Sequence, residues 1–203
     1  MGELLIAGTG NQMSTYEELY REYLENRMLV LNSEIDENVI EDYIMYILKW
    51  NKEDMNLPVD SRKPIKIFIS SPGGNVFDAN VFVDIIMQSK TPVWGIGLDL
   101  VASAAYSVLL ACHVRYGQLR TSFLQHEGDL AIENSRSKFK QTAEYFNEME
   151  AMSKEFILSR TNMTEDFYDK ILQDEYWMTS TRAKELGVIH KIIGIDCELD
   201  EVL

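Results

Sequence analysis

One stretch, residues 93–111, narrows the choice of fold more than any other: VWGIGLDLVASAAYSVLLA. Its first half reads as a buried strand and its second half as an apolar helix. Strand–helix alternation of this kind implies right-handed crossovers and an α/β fold. At the junction stands Ser103, flanked by Ala102, Ala104 and Ala105. A hydroxyl there lies near the N–H groups that a first helical turn leaves unpaired, at the positive end of the helix dipole. Such groups can hold a developing oxyanion, and small neighbours let a substrate approach. Serine also serves as a plain N-cap, so Ser103 alone decides nothing.

The alternation continues on both sides. Spacing of Tyr16, Leu19, Tyr20 and Leu24 predicts a helix over 17–26, and RMLVLN (27–32) a strand. Asp36 opens a helix to residue 50, with Ile35 and Val39 as a staple around the cap. The polar, two-proline segment 51–64 reads as a surface insertion. IKIFISS (65–71) is a strand ending in Pro72-Gly73-Gly74, and 76–90 a helix burying Val76, Val83, Ile86 and Met87. Residues 114–126 are strand-like with a break near Gly117, and 127–135 are polar and irregular. A long helix over 136–160 carries an apolar stripe (Phe139, Phe146, Met149, Met152, Phe156) that suits packing or subunit docking. Asn162 and Glu165 suggest a capping box for a helix to residue 173. A last helix over 179–186 stops at Gly187, before a strand over 188–193. The expected organisation is a flexible 1–15 followed by one domain over 16–203.

Composition bounds the function. The 203 residues suffice for one domain with a substantial core, and no run approaches the length of a membrane span. A net charge of −14 argues against nucleic acid or an anionic membrane as partner. Cys112 and Cys197 lack metal-site spacing and suit reduced thiols in a cytoplasmic protein. With only three histidines a zinc site is not expected, and neither metal nor cofactor is needed. The N-terminus has no basic, long-apolar signal pattern.

Three features fall on loops beyond strand C-termini, where α/β folds place their sites. Pro72-Gly73-Gly74 can expose backbone N–H groups without side-chain obstruction. Ser103 is the second. The third is His126, at the exit of the apolar run SFLQ, placed to act as a general base. Its competitors fit less well: His113 is ten positions beyond Ser103, about 15 Å along a continuous helix, and His190 lies within the expected last strand.

In order and spacing, EIDENVIEDYI, IKIFISSPGGNVFDANVFVDIIM, VASAAYSVLLA, SFLQHEG and EYWMTSTRAKELGVIHKI resemble ClpP, the self-compartmentalising serine peptidases. The similarity runs over residues 16–193. It implies a ClpP/crotonase-like α/β spiral of ββα units with a protruding handle helix at 136–160. It further implies Ser103 as nucleophile, His126 as general base, and Glu175, two residues before Trp177, as the acid. Asp174 is the alternative acid, and the N–H groups of Gly74 and Ala104 form the oxyanion hole. The implied assembly is a ring homo-oligomer of up to fourteen copies, degrading unfolded polypeptides in its chamber.

Departures accompany the likeness. Glu175 stands where the family has Asp, Asp174 where it has a ring-contact Arg, Asp99 where it has Gly, and Ala104-Ala105 where it has Met-Gly. Two residues of the family pattern are missing between the Ser103 helix and Arg115. Lys66 and Gln88 fall on aromatic or aliphatic positions of the unfoldase-docking pocket, which weakens the expectation of an ATP-driven (AAA+) unfoldase partner. Two other readings therefore stay open: a ring subunit that has lost catalysis, and a crotonase-type acyl-CoA enzyme, which shares the fold and its paired N–H hole.

Overall fold

Side-chain alternation at period two decides the sheet. In β2 (Ile65–Ser71), Ile65, Ile67 and Ile69 enter the main core, while Phe68 belongs to a second cluster on the opposite face. The computed structural model describes residues 14–128, 136–172 and 174–203. Around β2 the strands β1 (Met28–Leu31), β3 (Val93–Ala102), β4 (Val114–Gln118) and β7 (Lys191–Ile193) form a parallel run in the order β1-β2-β3-β4-β7. Helices α2 (Met45–Glu53), α3 (Val76–Gln88) and α4 (Ala104–Ala111) contribute Ile47, Phe82, Ile86 and Leu109 to the main core. The other face carries Phe68, Ile96 and Tyr116, packed with Cys197 and Val202 from the last ten residues.

Strand β3 serves two neighbours in succession. Its first part, Trp94 to Gly97, pairs with Val114 to Gly117 of β4; its second, Leu100 to Ala102, pairs with Ser122 to Leu124 of β5 (Ser122–Gln125). Between them the register against β2 slips, from Ile69 opposite Gly97 to Ser71 opposite Val101, and Leu98 and Asp99 bulge into solvent. A bulge bends its strand, and this one turns the sheet. The bend is tied by buried Thr121, whose hydroxyl lies 2.9 Å from the Gly97 carbonyl and 3.0 Å from that of Leu98. Beyond β5, β6 (Tyr176–Thr179) joins antiparallel, the one reversed strand pairing among the described residues.

Several expectations need correction. Residues 1–13 and 129–135 lie outside the described residues, but Ser14 and Thr15, expected to be flexible, cap and open α1 (Thr15–Glu25) through a capping box with Glu17. The helix expected from Asp36 instead starts with a π-helical turn at Ile40–Ile44 that leads into α2. Segment 51–64 is mostly exposed, and it is also clamped to the body of the domain. Its Asp54 is buried against Arg27 at 2.6 Å and accepts from the Thr91 hydroxyl, while Asn51 bonds Ser89, Lys90 and Thr91. In α3, Val76 and Met87 are exposed, and Ala79 and Phe82 take the buried places. The break expected near Gly117 does occur, after Gln118, between β4 and β5.

Toward the C-terminus, α5 (Arg136–Arg160) has the expected bounds, yet Phe139 and Met152 of its stripe are exposed. Thr164, not Asn162, bonds the first turn of α6 (Glu165–Leu172), through the Phe167 N–H. Asn162 instead packs beside Gly187, whose φ of +73° ends α7 (Ser180–Glu185). The last strand starts at Lys191, so His190 precedes it.

Candidate active site

Ser103 is not the N-cap that its position suggests. Its φ of 54° and ψ of −126° lie in a region L-residues rarely adopt, and its side chain makes no capping hydrogen bond. The strain, about 1–3 kcal/mol for such a residue, is held by the Ser103 N–H donating to Leu124 O at 3.1 Å and by Tyr106 N–H donating to Ser103 O at 2.9 Å. A sharp strand-to-helix turn of this sort pushes a hydroxyl outward from the sheet end, as in nucleophile elbows.

The glycine turn presses against this junction. A Cβ on Gly73 would stand 2.8 Å from Ala102 O, Ala104 N and Ser103 Cβ, and φ is +100° there. Only glycine lets the two loops approach so closely. Gly74 bridges Ile35 through its neighbours: Ile35 N–H donates to Gly73 O, and Asn75 N–H to Ile35 O, each at 2.8 Å. Gly74's own N–H is thereby left on the side away from Ile35. The Ala104 N–H opens α4 and has no carbonyl one turn earlier within the helix to bond. Gly73 thus brings the glycine turn against the Ser103–Ala104 junction.

His126 follows β5 directly. Ala102 pairs with Leu124, so the parallel register carries His126 to the end of β3 at which Ser103 sits. Its Nε2 is buried and bonds no described residue, Ser103 included. On the other flank of β5 the antiparallel ladder ends with Gln125 opposite Tyr176, and His126 and Glu175 are the residues that follow this last pair on the two chains. Glu175 is exposed, and its Oε2 accepts from the Trp177 indole N–H at 3.1 Å. Asp174 is also exposed, one position out of this register.

The other histidines are structural. His113 Nδ1 accepts from Val93 N–H at 2.9 Å, and burial lowers its pKa. His190 Nδ1 accepts from Arg115 N–H at 3.1 Å; burial, with Arg115 and Arg160 nearby, takes its pKa to about 4. Each needs its neutral ring to accept. Thr121, which fixes the bend, and Trp177, whose indole bonds Glu175, escaped sequence reasoning, and neither carries a local signal. Within the expected glycine turn, Gly73 touches Ser103 more closely than Gly74 does.

This chain is similar to known proteins in sequence and in fold. A sequence profile described as Clp protease matches residues 10–196. The ATP-dependent Clp protease proteolytic subunit 2 of Treponema pallidum is 30% identical over 181 residues, 86% of this chain and 85% of that protein. That of Treponema denticola is 28% identical over 184 residues, 90% and 89% of the two. A solved ClpP1 variant from Listeria monocytogenes superposes with a TM-score of 0.75 at 23% identity, covering 91% of this chain and 99% of the other. That last likeness speaks to the fold.

Proposed function

From the membership of this chain in the Clp protease family, we propose that it is a serine peptidase whose nucleophile is Ser103. The observation that carries the assignment is the strained, uncapped Ser103 junction with Gly73 packed against it.

In this reading Ser103 Oγ attacks a peptide carbonyl while His126 Nε2 takes its proton. Glu175 accepts from His126 Nδ1, which sets the ring's tautomer and stabilises the imidazolium. The N–H groups of Gly74 and Ala104 receive the tetrahedral oxyanion. Collapse of that intermediate breaks the C–N bond as His126 returns the proton to the leaving amine. Water, deprotonated by His126, then cleaves the acyl ester and frees Ser103. The unpartnered Nε2 of His126 suits this role, because catalytic hydrogen bonds of a free enzyme often tighten only with substrate bound. Register favours Glu175 over Asp174 as the acid.

The family reading extends to assembly: stacked seven-membered rings, with α5 at the ring–ring contact and unfolded polypeptides cut inside. An AAA+ unfoldase partner fits less well. Lys66 is buried, over the Trp94 ring, and its ammonium donates to the Leu203 carbonyl, while Gln88 is exposed. Neither offers an apolar docking surface.

One observation favours a ring subunit without catalysis: a glutamate, Glu175, stands at the acid position where the family has aspartate. A fluorophosphonate probe separates the readings. The peptidase reading expects the probe on Ser103, none on Ser103→Ala, and casein digestion that vanishes in His126→Ala. An unlabelled protein assembled near fourteen copies by native mass spectrometry would establish the scaffold instead.

A further inference from the structure

Glu175 poses a problem for the reading above. A glutamate has one more torsion than the aspartate usual at this place, and an exposed carboxylate on a longer arm is poorly aimed. The indole N–H of Trp177 bonds the Oε2 atom of that carboxylate at 3.1 Å. Glu175 directly precedes β6 and Trp177 is the second residue of that strand, so the bond joins two positions of one short segment. Trp177 pairs with Leu124, and the ladder's last pair, Gln125 with Tyr176, leaves His126 and Glu175 as the next residues on the two chains. Oε1 has no other partner among the described residues.

We infer that Trp177 is a positioning residue for the catalytic acid: its N–H holds Oε2, leaving Oε1 to accept from His126 Nδ1. The assignment rests on the serine-peptidase reading. The restraint replaces the shorter arm of an aspartate with a tether from the same short segment. A carboxylate can accept both bonds at once, one on each oxygen. Removing the tether therefore acts only through Glu175.

Trp177→Phe keeps the ring and deletes the donor, at a side chain that is half exposed and outside the core. Peptide hydrolysis by the full chain is measured for wild type, Trp177→Phe, Glu175→Ala and the double variant, with Ser103→Ala as control. The inference expects Trp177→Phe to lower kcat about tenfold with KM unchanged, and to cause no further loss in the Glu175→Ala background. A merely structural tryptophan would slow both backgrounds by the same factor. If Ser103→Ala abolishes hydrolysis yet Trp177→Phe matches or exceeds wild type, or its loss is the same in both backgrounds, the tether is wrong and the peptidase reading stands. If Ser103→Ala stays fully active, the peptidase reading falls and takes the tether with it.

Discussion

The two ends of helix α4 are built on opposite terms. At its C-terminus the free carbonyls are answered by two arginines: Arg160 bonds Leu110 and Cys112, and buried Arg115 bonds Leu110, Arg160 and Gly187. Arg115 thus serves three helix ends, those of α4, α5 and α7, where a cation is favoured. At the N-terminus, Ser103 is strained and caps nothing, and a buried nitrogen of His126 lies unpartnered nearby. Bonded carbonyls at one end stabilise the fold, although Arg115 Nε is itself buried without a partner; open groups at the other end cost stability and keep donors and acceptors for a ligand. The contrast is a physical reason to look for chemistry at Ser103 and for structure at Arg115.

Perturbing each end tests that division. Ser103→Ala should reduce peptide hydrolysis by about 10⁴-fold or more and leave the urea midpoint nearly unchanged; loss of folding there would erase the distinction. Arg115→Met strands the Arg160 and Gly187 carbonyls, while Leu110 keeps Arg160. Unfolding by denaturant should show a loss of about 3–4 kcal/mol, and a cost below 1 kcal/mol would remove Arg115 from its structural role. Gly73→Ala sits between the classes: its Cβ meets backbone at 2.8 Å and φ is +100°. About 2–3 kcal/mol of stability should go, with probe labelling of Ser103 lost even in the folded fraction.

The smallest effect is a pH dependence near the arginine end. The folded His190 pKa is about 4, lowered by burial and then by Arg115 and Arg160, against about 6.5 in the unfolded chain. As pH falls from 6.5 to 4 the unfolded chain takes up a proton that the folded one refuses, so this group lowers stability across that window and is neutral above it. Its imidazole is partly exposed and screened, so the effect is about 1 kcal/mol. In His190→Gln, denaturation midpoints should fall less steeply over that range; identical slopes would mean His190 titrates normally.

Local pattern reached part of this architecture. The run IKIFISS is the observed β2, and residues 136–160 are α5 with the expected bounds, because period and end signals are local. Val76 and Met87 were misplaced because helix α3 turns its Ala79–Phe82–Ile86 stripe inward, a choice made by what it packs on. Asn162 looked like a cap but is spent on Glu185 and Leu186, distant in sequence. Strand β6 went unseen: four residues, YWMT, are strand only because β5 lies beside them. The site followed the same rule. Ser103 and the glycine turn stood out by their own residues; the bond between Trp177 and Glu175 did not.

The sequence by itself determined the strand–helix order, the apolar faces and the run of motifs that mark the family, since each depends on neighbours within a few residues. Tertiary structure alone decided that the Ser103 hydroxyl would not cap its helix, that Gly73 would lie against it, and that Trp177 would take hold of Glu175. Those outcomes depend on the bend in β3 and on cross-strand register. Register is set by contacts between segments more than twenty residues apart, and no local period encodes it.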